Sequence, residues 1–372
     1  MRHRPALRWP CHRAFLGRLL LMGGLRVLVT GAAGLVGSEL CGALAERGHG
    51  VVGLVHRNRG FVRTDGSTPE PARAGGGSPP PGTFTWLQGD VRVPDLGLDD
   101  GLFRDGLDLV VHCAALTDFA ASEAQYRSVN VEGTANVAAF AKRVGAGLVH
   151  VSTAYVCGER SGPVPETWTE GAAFANGYEA SKDAGERVAR AGGAPVATVR
   201  PSIVVGRAED GALGRFENIY AFLKLIGSGR IGTLPATSGA SLDLVPVDHV
   251  VGGIVDVAER FEDAAGRVFH LVSGEPTTVV DLVAHDYPGF RVPRLVAPER
   301  FDVEALPPME AYLYAGVTAR FESYLRRDPR FVAENLARLS GRTCPPTGPG
   351  FLRRLVAYAV RAGYLVPDPE LI

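Results

Sequence analysis

Thr30-Gly31-Ala32-Ala33-Gly34-Leu35-Val36-Gly37 (TGAAGLVG) is the stretch that decides the fold. LRVLVT (25–30) runs into it, continuously apolar and β-branched, as a strand buried on both faces should be. Residues 33–47 follow with helical spacing and stop at Gly48. Each of the three glycines at this strand-to-helix junction has its own use. Gly31 permits the tight turn, Gly34 lets backbone approach a pyrophosphate, and Gly37 lets helix and strand pack closely. The helix start offers N–H groups and a positive dipole end to phosphates. The pattern predicts a dinucleotide site.

Outward from that loop the same alternation repeats. Short apolar runs at 51–55, 84–88, 107–112, 147–152 and 197–205 read as strands, and 126–144 and 178–191 as helices. Strands alternating with helical runs imply βαβ units, hence an α/β fold with a doubly wound parallel (Rossmann) sheet over residues 25–206. Residues 57–83 contain GSTPEPARAGGGSPPPG and read as a flexible surface loop. Beyond 206 the pattern loosens. Helices at 249–261, 277–284, 309–326 and 351–362, with a rigid turn CPPTGPG (344–350), suggest a smaller, mostly helical substrate lobe over 207–372. Strands near 242–246 and 269–273 are expected to return to the sheet.

The 372 residues are enough for two such parts without covalent staples. Hydrophobic residues make up 46% and charged residues 21%, which excludes wholesale disorder. Lysine and arginine number 39 against 40 acids, so no global positive field exists to hold nucleic acid or an anionic membrane. The five cysteines, Cys11, Cys41, Cys113, Cys157 and Cys344, show no CxxC pair, against both a disulfide framework and a zinc site. Cys41, Cys113 and Cys157 read as small core residues, and a reducing, cytoplasmic setting follows. Residues 1–24 carry Arg2, Arg4, Arg8, Arg13 and Arg18, the last interrupting the apolar patch, and read as a disordered extension rather than a signal peptide. No run reaches the ~18 apolar residues of a membrane span.

Two groups of residues carry chemistry. Tyr178 and Lys182 are spaced i, i+4 on one helical face. An ammonium one turn away should lower the phenol's pKa and suit it to proton transfer with an oxygen receiving a hydride. Thr153 lies 25 residues earlier, just past a strand, where its hydroxyl can converge with that of Tyr178. Its neighbour Ser152 should point away. The second group selects the dinucleotide. A site for NAD places a carboxylate about 20 residues past the last glycine; His56, Arg57, Asn58 and Arg59 stand there instead. Arg57 or Arg59 can pair with a 2′-phosphate, which points to NADP(H) over NAD(H). Asp90, in Gly89-Asp90 at the end of the third strand, can accept from the adenine amino group.

In the order TGAAGLVG, GD (89–90), HCAA (112–115), NVEGT (130–134), VSTAYV (151–156), YEASK (178–182), RPSIVVG (200–206) and DLVPVDHV (243–250), the chain resembles the extended short-chain dehydrogenase/reductase family. The likeness covers residues 25 to about 275. It implies a catalytic triad of Thr153, Tyr178 and Lys182. It also implies cofactor contacts at Gly31, Ala33, Gly34, Leu35, Val36, Asp90, Val91, Ala114, Ala115 and Asn130, with Lys182 on the nicotinamide ribose. Asn130 would help hold the active-site architecture. Arg200-Pro201 is similar to the family's substrate-side loop, and Pro246-Val247-Asp248 to a structural anchor.

VPDLGL (93–98), STAYVCG (152–158) and the long loop after strand two resemble the branch that contains thioester reductase domains and fatty acyl-CoA reductases, the male-sterility type. That resemblance implies hydride reduction of an acyl thioester, free or carrier-bound, to an aldehyde or alcohol, in a possible homodimer. The apolar residues Ile219, Phe222, Leu223, Leu225 and Ile226 could line an acyl channel or be plain core. Three readings stand beside it: a nucleotide-sugar epimerase or dehydratase, a ketone or alcohol dehydrogenase, and a non-catalytic NADP(H)-sensing module. A 4,6-dehydratase would carry Asp-Glu after Thr153, where Ala154 and Tyr155 stand.

Overall fold

The computed structural model describes residues 24–75, 79–99, 101–103, 106–169, 171–217, 219–284 and 287–371. The expectation for residues 1–24 therefore lies, except for Gly24, outside the described residues.

Strand β1 (Arg26–Thr30) is followed by helix α1 (Leu35–Glu46) and β2 (Gly50–Val55). Then come β3 (Phe84–Gln88), β4 (Leu109–His112), α2 (Gly133–Arg143), β5 (Gly147–Val151), α3 (Gly177–Ala191) and β6 (Val196–Pro201). Helix α4 (Val247–Glu259) and strand β7 (Val268–Leu271) complete the layer. The strands lie in the order β7-β6-β5-β4-β1-β2-β3, all parallel, with Ala72–Arg73 added as a short edge beside β3. This is the expected doubly wound sheet. The order reverses between β1 and β4, and the crevice at the carboxyl ends of those two strands is where such a sheet takes its ligand.

Neighbouring residues in one strand serve opposite layers. Val27 and Val29 of β1 pack with Leu40 and Leu44 of α1 and Val250 and Ile254 of α4. Leu28 packs the other way, with Val137 and Phe140 of α2 and Ala189 of α3. A fully buried leucine or valine of this kind contributes roughly 1.5–3 kcal/mol. Leu96 and Leu98 of the LGL motif belong to this second core. To bring Leu96 inward, Asp95 and Leu96 adopt positive φ of 52° and 61°.

Four expectations are modified. The sixth strand breaks at Ser202. Ile203–Val205 leaves the sheet and pairs instead with Leu244–Pro246 in a separate two-stranded ladder, so only β7, not 242–246, returns to the main sheet. The buried Asp243 organises this break: its carbonyl accepts Ile203 N–H at 3.1 Å, and its carboxylate accepts Ser202 Oγ at 2.5 Å and Ser273 N–H at 2.8 Å. The expected helix over 309–326 is three pieces, Pro308–Gly316 and the 3-10 turns Thr318–Arg320 and Glu322–Leu325. Gly316 is a weak helix former, and Val317 turns out of helical geometry (φ −127°, ψ −58°), which buries Thr318, Tyr324 and Leu325.

The loop over 57–83 is not uniform. Phe61 is 3% exposed and meets Phe84 edge-on at 4.9 Å; Arg63 pairs with Glu39 and Glu46 of α1, and Arg215 reaches Gly60 O at 2.9 Å. Residues 60–64 are thus strapped to both the sheet domain and the lobe. The helix expected over 126–144 contains a π turn, Arg127–Glu132, between Glu123–Tyr126 and α2. Such turns recur at functional sites, because they re-aim the side chains they carry.

Candidate active site

The glycine loop has no room for side chains. Gly31 sits at φ +68°, and a Cβ there would lie 2.6 Å from Ala114 N. A Cβ on Gly37 would lie 2.2 Å from Gly31 O, and one on Gly34 3.1 Å from it. Gly34 is also the N-cap of α1, with no side-chain cap bond. Bare backbone at a helix start, in the switch-point crevice, is a cradle that fits a dinucleotide pyrophosphate. Leu35 and Val36 border the crevice with Gly31 and Gly34, and Ala115 borders it from beyond β4. Ala33 is buried behind the loop. Ala114 N–H donates to Thr30 Oγ1 at 3.3 Å, tying the two strand ends together.

Thr153 follows β5 as the N-cap of the 3-10 turn Ala154–Cys157, where its hydroxyl accepts Tyr155 N–H at 3.3 Å. Tyr178 is the second residue of α3, whose start is fixed by Asn176 Oδ1 accepting Glu179 N–H at 2.9 Å. The Thr153 hydroxyl lies near enough to the Tyr178 phenol to favour its ionised form. Lys182, one turn on, is buried and donates from Nζ to Val151 O at 2.7 Å. All three side chains and the glycine loop border one cavity of about 330 Å³. Ser152, expected to point away, also borders it, and its buried hydroxyl has no hydrogen-bond partner among the described residues. Cys113, expected in the core, lies at the cavity wall, where burial pushes its thiol up to about 12.

The electrostatics differ from the sequence expectation. Burial raises the Tyr178 phenol, with the Thr153 hydroxyl opposing. Burial also pulls Lys182 down to about 8, with Glu186 opposing. Its ammonium is committed to the Val151 carbonyl, so it does not offset the desolvation of Tyr178. The phenol is therefore held as an acid.

Asn130 lies in the π turn. Its Oδ1 accepts Leu116 N–H at 2.7 Å, and its Nδ2 donates to Leu116 O at 3.0 Å and Ser181 Oγ at 2.9 Å. It joins the post-β4 loop to α3 and acts on the cavity through them. Val91 packs its side chain toward Gly133 and accepts Asn136 Nδ2 on its carbonyl at 2.9 Å.

His56, Arg57 and Arg59 are exposed at the carboxyl end of β2. Arg59 donates to Gln88 Oε1 at 2.8 Å and lies 5.2 Å from the Trp86 ring centre. Asp90 is clasped by Arg92, with Nε to Oδ1 at 2.9 Å and Nη2 to Oδ2 at 2.6 Å, and faces His56 at 3.4 Å. Arg92 brings that carboxyl down to about 2. Arg92 was not singled out in the sequence; its place two residues after Asp90 was the available signal.

Arg200 does not face the substrate side. It is buried in β6 and forks onto Glu186 of α3 with two 2.7 Å bonds, because a β strand alternates its faces. Pro201, its neighbour, borders the cavity. Asp248 is an anchor, as expected: its carboxylate accepts Ala208 N–H at 3.0 Å.

Sequence reasoning also missed an aromatic wall. Phe119 lies 5.8 Å from Tyr178, 5.6 Å from Phe321 and 5.9 Å from Tyr324. Phe321, Tyr324, Leu325, Phe222 and Leu242 close the cavity from the lobe. Of the suggested channel residues, Ile219 and Phe222 border it. Among the described lining residues, Lys182 and Glu217 are the only charged ones.

The family description "Male sterility protein" matches residues 29–254, more than half of the chain. The 2-alkyl-3-oxoalkanoate reductase of Stenotrophomonas maltophilia is 28% identical over 329 residues, covering 84% of this chain and 89% of that protein. A linear gramicidin synthase of Brevibacillus parabrevis is 32% identical over 226 residues, 57% of this chain but 4% of that much longer protein. The terminal R domain from the myxalamid PKS-NRPS biosynthetic pathway shares the fold, with a TM-score of 0.73, 21% identity and 94% of both chains covered. No described helix is long and apolar enough to cross a membrane. The chain belongs to the male sterility protein family, within the thioester-reductase branch of the extended short-chain dehydrogenases/reductases, and is with them an oxidoreductase that uses a nicotinamide dinucleotide.

Proposed function

We propose that the protein is an NADPH-dependent reductase of acyl thioesters, with Thr153, Tyr178 and Lys182 as its catalytic residues. The observation that carries the substrate class is the cavity's far side. It is built of Phe119, Phe222, Leu242, Phe321 and Leu325, and none of its described lining residues is an arginine. An apolar acyl chain suits such walls. A nucleoside diphosphate would need cations for its phosphates, which disfavours the nucleotide-sugar reading. The arginines at 57 and 59, with no acid beside them, support NADPH over NADH.

The dinucleotide, when bound, supplies the hydride to the acyl carbon. Thr153 and Tyr178, which border the same cavity, would stabilise the negative charge that grows on the carbonyl oxygen. Tyr178, held as a phenol by burial, gives its proton to that oxygen. Lys182, one helical turn on and bonded to Val151 O, would hold this side of the site and the nicotinamide ribose. The resulting hemithioacetal loses its thiol by breaking the C–S bond, leaving an aldehyde. A second reduction of that aldehyde would give the alcohol. Coenzyme A or a carrier-protein arm is the expected thiol.

The test is NADPH oxidation by purified protein with acyl-CoAs, aldehydes and ketones, scored together with thiol release. Tyr178→Phe should keep NADPH affinity and lose turnover by about 100-fold or more, since only the proton donor is removed. Unchanged turnover in that variant would overturn the mechanism. The similarity to a 2-alkyl-3-oxoalkanoate reductase over most of both chains favours a second reading, reduction of a ketone by the same three residues. Oxidation with ketones and none with thioesters would select it. Binding without oxidation of NADPH by any carbonyl would select the sensing module.

A further inference from the structure

Arg327 lies in RRDPR (326–330), a stretch without a readable motif. It is 4% exposed, a cation brought into the interior from the substrate lobe. Burying a guanidinium is costly unless its donors are used, so its partners are informative. Its Nη2 donates to Glu179 Oε1 and its Nη1 lies 3.4 Å from Glu179 Oε2. Nη1 also donates to Gly158 O at 2.5 Å. Its guanidinium sits 4.5 Å from the Tyr324 ring centre and 5.1 Å from that of Tyr155.

These partners belong to the two segments that carry the reacting hydroxyls. Glu179 is the residue after Tyr178 and is wholly buried. Its carboxylate also accepts Ala175 N–H at 3.2 Å and approaches Asn176 Nδ2 at 3.5 Å, so it holds the first turn of α3 from inside. Gly158 closes the short turn that begins at Thr153. Tyr324 stands in the aromatic wall and also meets the α3 cap, Asn176 Nδ2 donating to its hydroxyl at 3.3 Å. One side chain from the lobe thus touches the Thr153 turn, the Tyr178 turn and the substrate wall.

We propose that Arg327 is a positioning residue: through Glu179, Gly158 O and Tyr324 it makes the relative placement of Thr153 and Tyr178 depend on the substrate lobe being docked. This rests on the proposed role of the two hydroxyls. The chain gains a site in which the proton donor is in register only when the aromatic wall is in place. None of the contacts of Arg327 involves the glycine loop, so cofactor affinity should not depend on this clamp.

The test uses the full-length protein with whichever carbonyl the wild type reduces. Arg327→Met keeps the stem and removes the charge. It should lower kcat about tenfold to a hundredfold, the scale expected of a small misplacement. The NADPH dissociation constant, read by fluorescence, should stay within about twofold. Arg327→Lys, which keeps a cation but not the fork, should recover part of kcat. In a double-mutant cycle with Glu179→Gln, the losses should be strongly non-additive. Hydrogen exchange, which needs no substrate, should rise in Arg327→Met at both the 153–158 and 176–180 segments, with α4 unchanged. Unchanged kcat in Arg327→Met would overturn the proposal, as would exchange rising only within 319–327. If Arg327→Met fails to fold, wild-type kcat and unchanged exchange in Arg327→Lys and Glu179→Gln would overturn it equally. A wild type inactive on thioesters but active on a ketone refutes the substrate reading and leaves this test intact.

Discussion

Lys182→Met separates the cost of burying Lys182 from its proposed use in catalysis. Burial brings Lys182 from the ordinary 10.5 to about 8. Below pH 8 the folded chain carries an ammonium that it solvates poorly, at a cost of roughly 3 kcal/mol. Between about pH 8 and 10.5 the unfolded chain holds that proton and the folded chain does not. The unfolded state then binds more protons, so raising the pH favours folding, and the lysine's penalty fades toward its unfolded pKa. Methionine at 182 keeps the length and cannot titrate. It also removes the donor that Val151 O receives at 2.7 Å, a loss of roughly 1–3 kcal/mol that does not vary with pH. At pH 7 the two terms nearly offset, and the variant should be as stable as the wild type or slightly more so while losing turnover. The decisive quantity is the pH dependence. In urea unfolding without cofactor, wild type should gain roughly 2–3 kcal/mol on Lys182→Met between pH 7 and 10. The groups that feel Lys182, namely His112, Cys113 and His150, titrate outside that range in the folded chain, so the rest of the pH dependence is common to both proteins. A difference that stays flat across that range would refute the claim that Lys182 is held in its charged form against its surroundings.

Two further perturbations test the dinucleotide side. Gly37→Ala places a Cβ 2.2 Å from Gly31 O, so the loop must open; NADPH affinity should fall at least tenfold in a fluorescence titration, with a lower Tm. Arg57→Ala with Arg59→Ala should raise KM for NADPH by tenfold or more and spare NADH, with Arg57 carrying the larger part because Arg59 is already spent on Gln88 and Trp86; an equal loss for both dinucleotides would remove the phosphate role.

The sheet and the catalytic candidates were legible because each rests on a short-range rule. A buried parallel strand must be continuously apolar, and LRVLVT satisfies this without reference to the rest of the chain. Tyr178 and Lys182 meet through helix periodicity alone, and Thr153 through its place at a strand end. The break at Ser202 was not legible, since IVV reads as a continuation of the strand before it. Only the buried Asp243, 41 residues away, shows why the chain departs there. The strap at 60–64 was hidden in the same way. Phe61 and Arg63 look like loop residues until α1 presents Glu39 and Glu46 to them. Arg200 was misassigned because the resemblance put Arg200-Pro201 together on the substrate side, while strand alternation turns Arg200 toward Glu186 and leaves Pro201 at the cavity.

The same distinction explains why the chemistry was easier to read than the substrate. Proton transfer to a carbonyl, the chemistry proposed for Thr153, Tyr178 and Lys182, requires particular atoms within hydrogen-bond reach, so it restricts residue type and spacing. Enclosing an apolar chain requires only bulk. Phe119, Phe222 and the pair Phe321 and Tyr324 come from three separate stretches of the chain, and any of them would pass for core in its local window. They become a wall because Val317 ends one helix early and Arg327 pins the turn that follows onto Glu179. Glu179 belongs to the readable YEASK motif, and Arg327 does not belong to any motif. The buried Glu179–Arg327 ion pair, with Asn176 donating to Tyr324 beside it, thus joins the legible and illegible halves of the site, and substrate choice should follow mutations in the 317–327 turn more closely than any in the strand-end motifs.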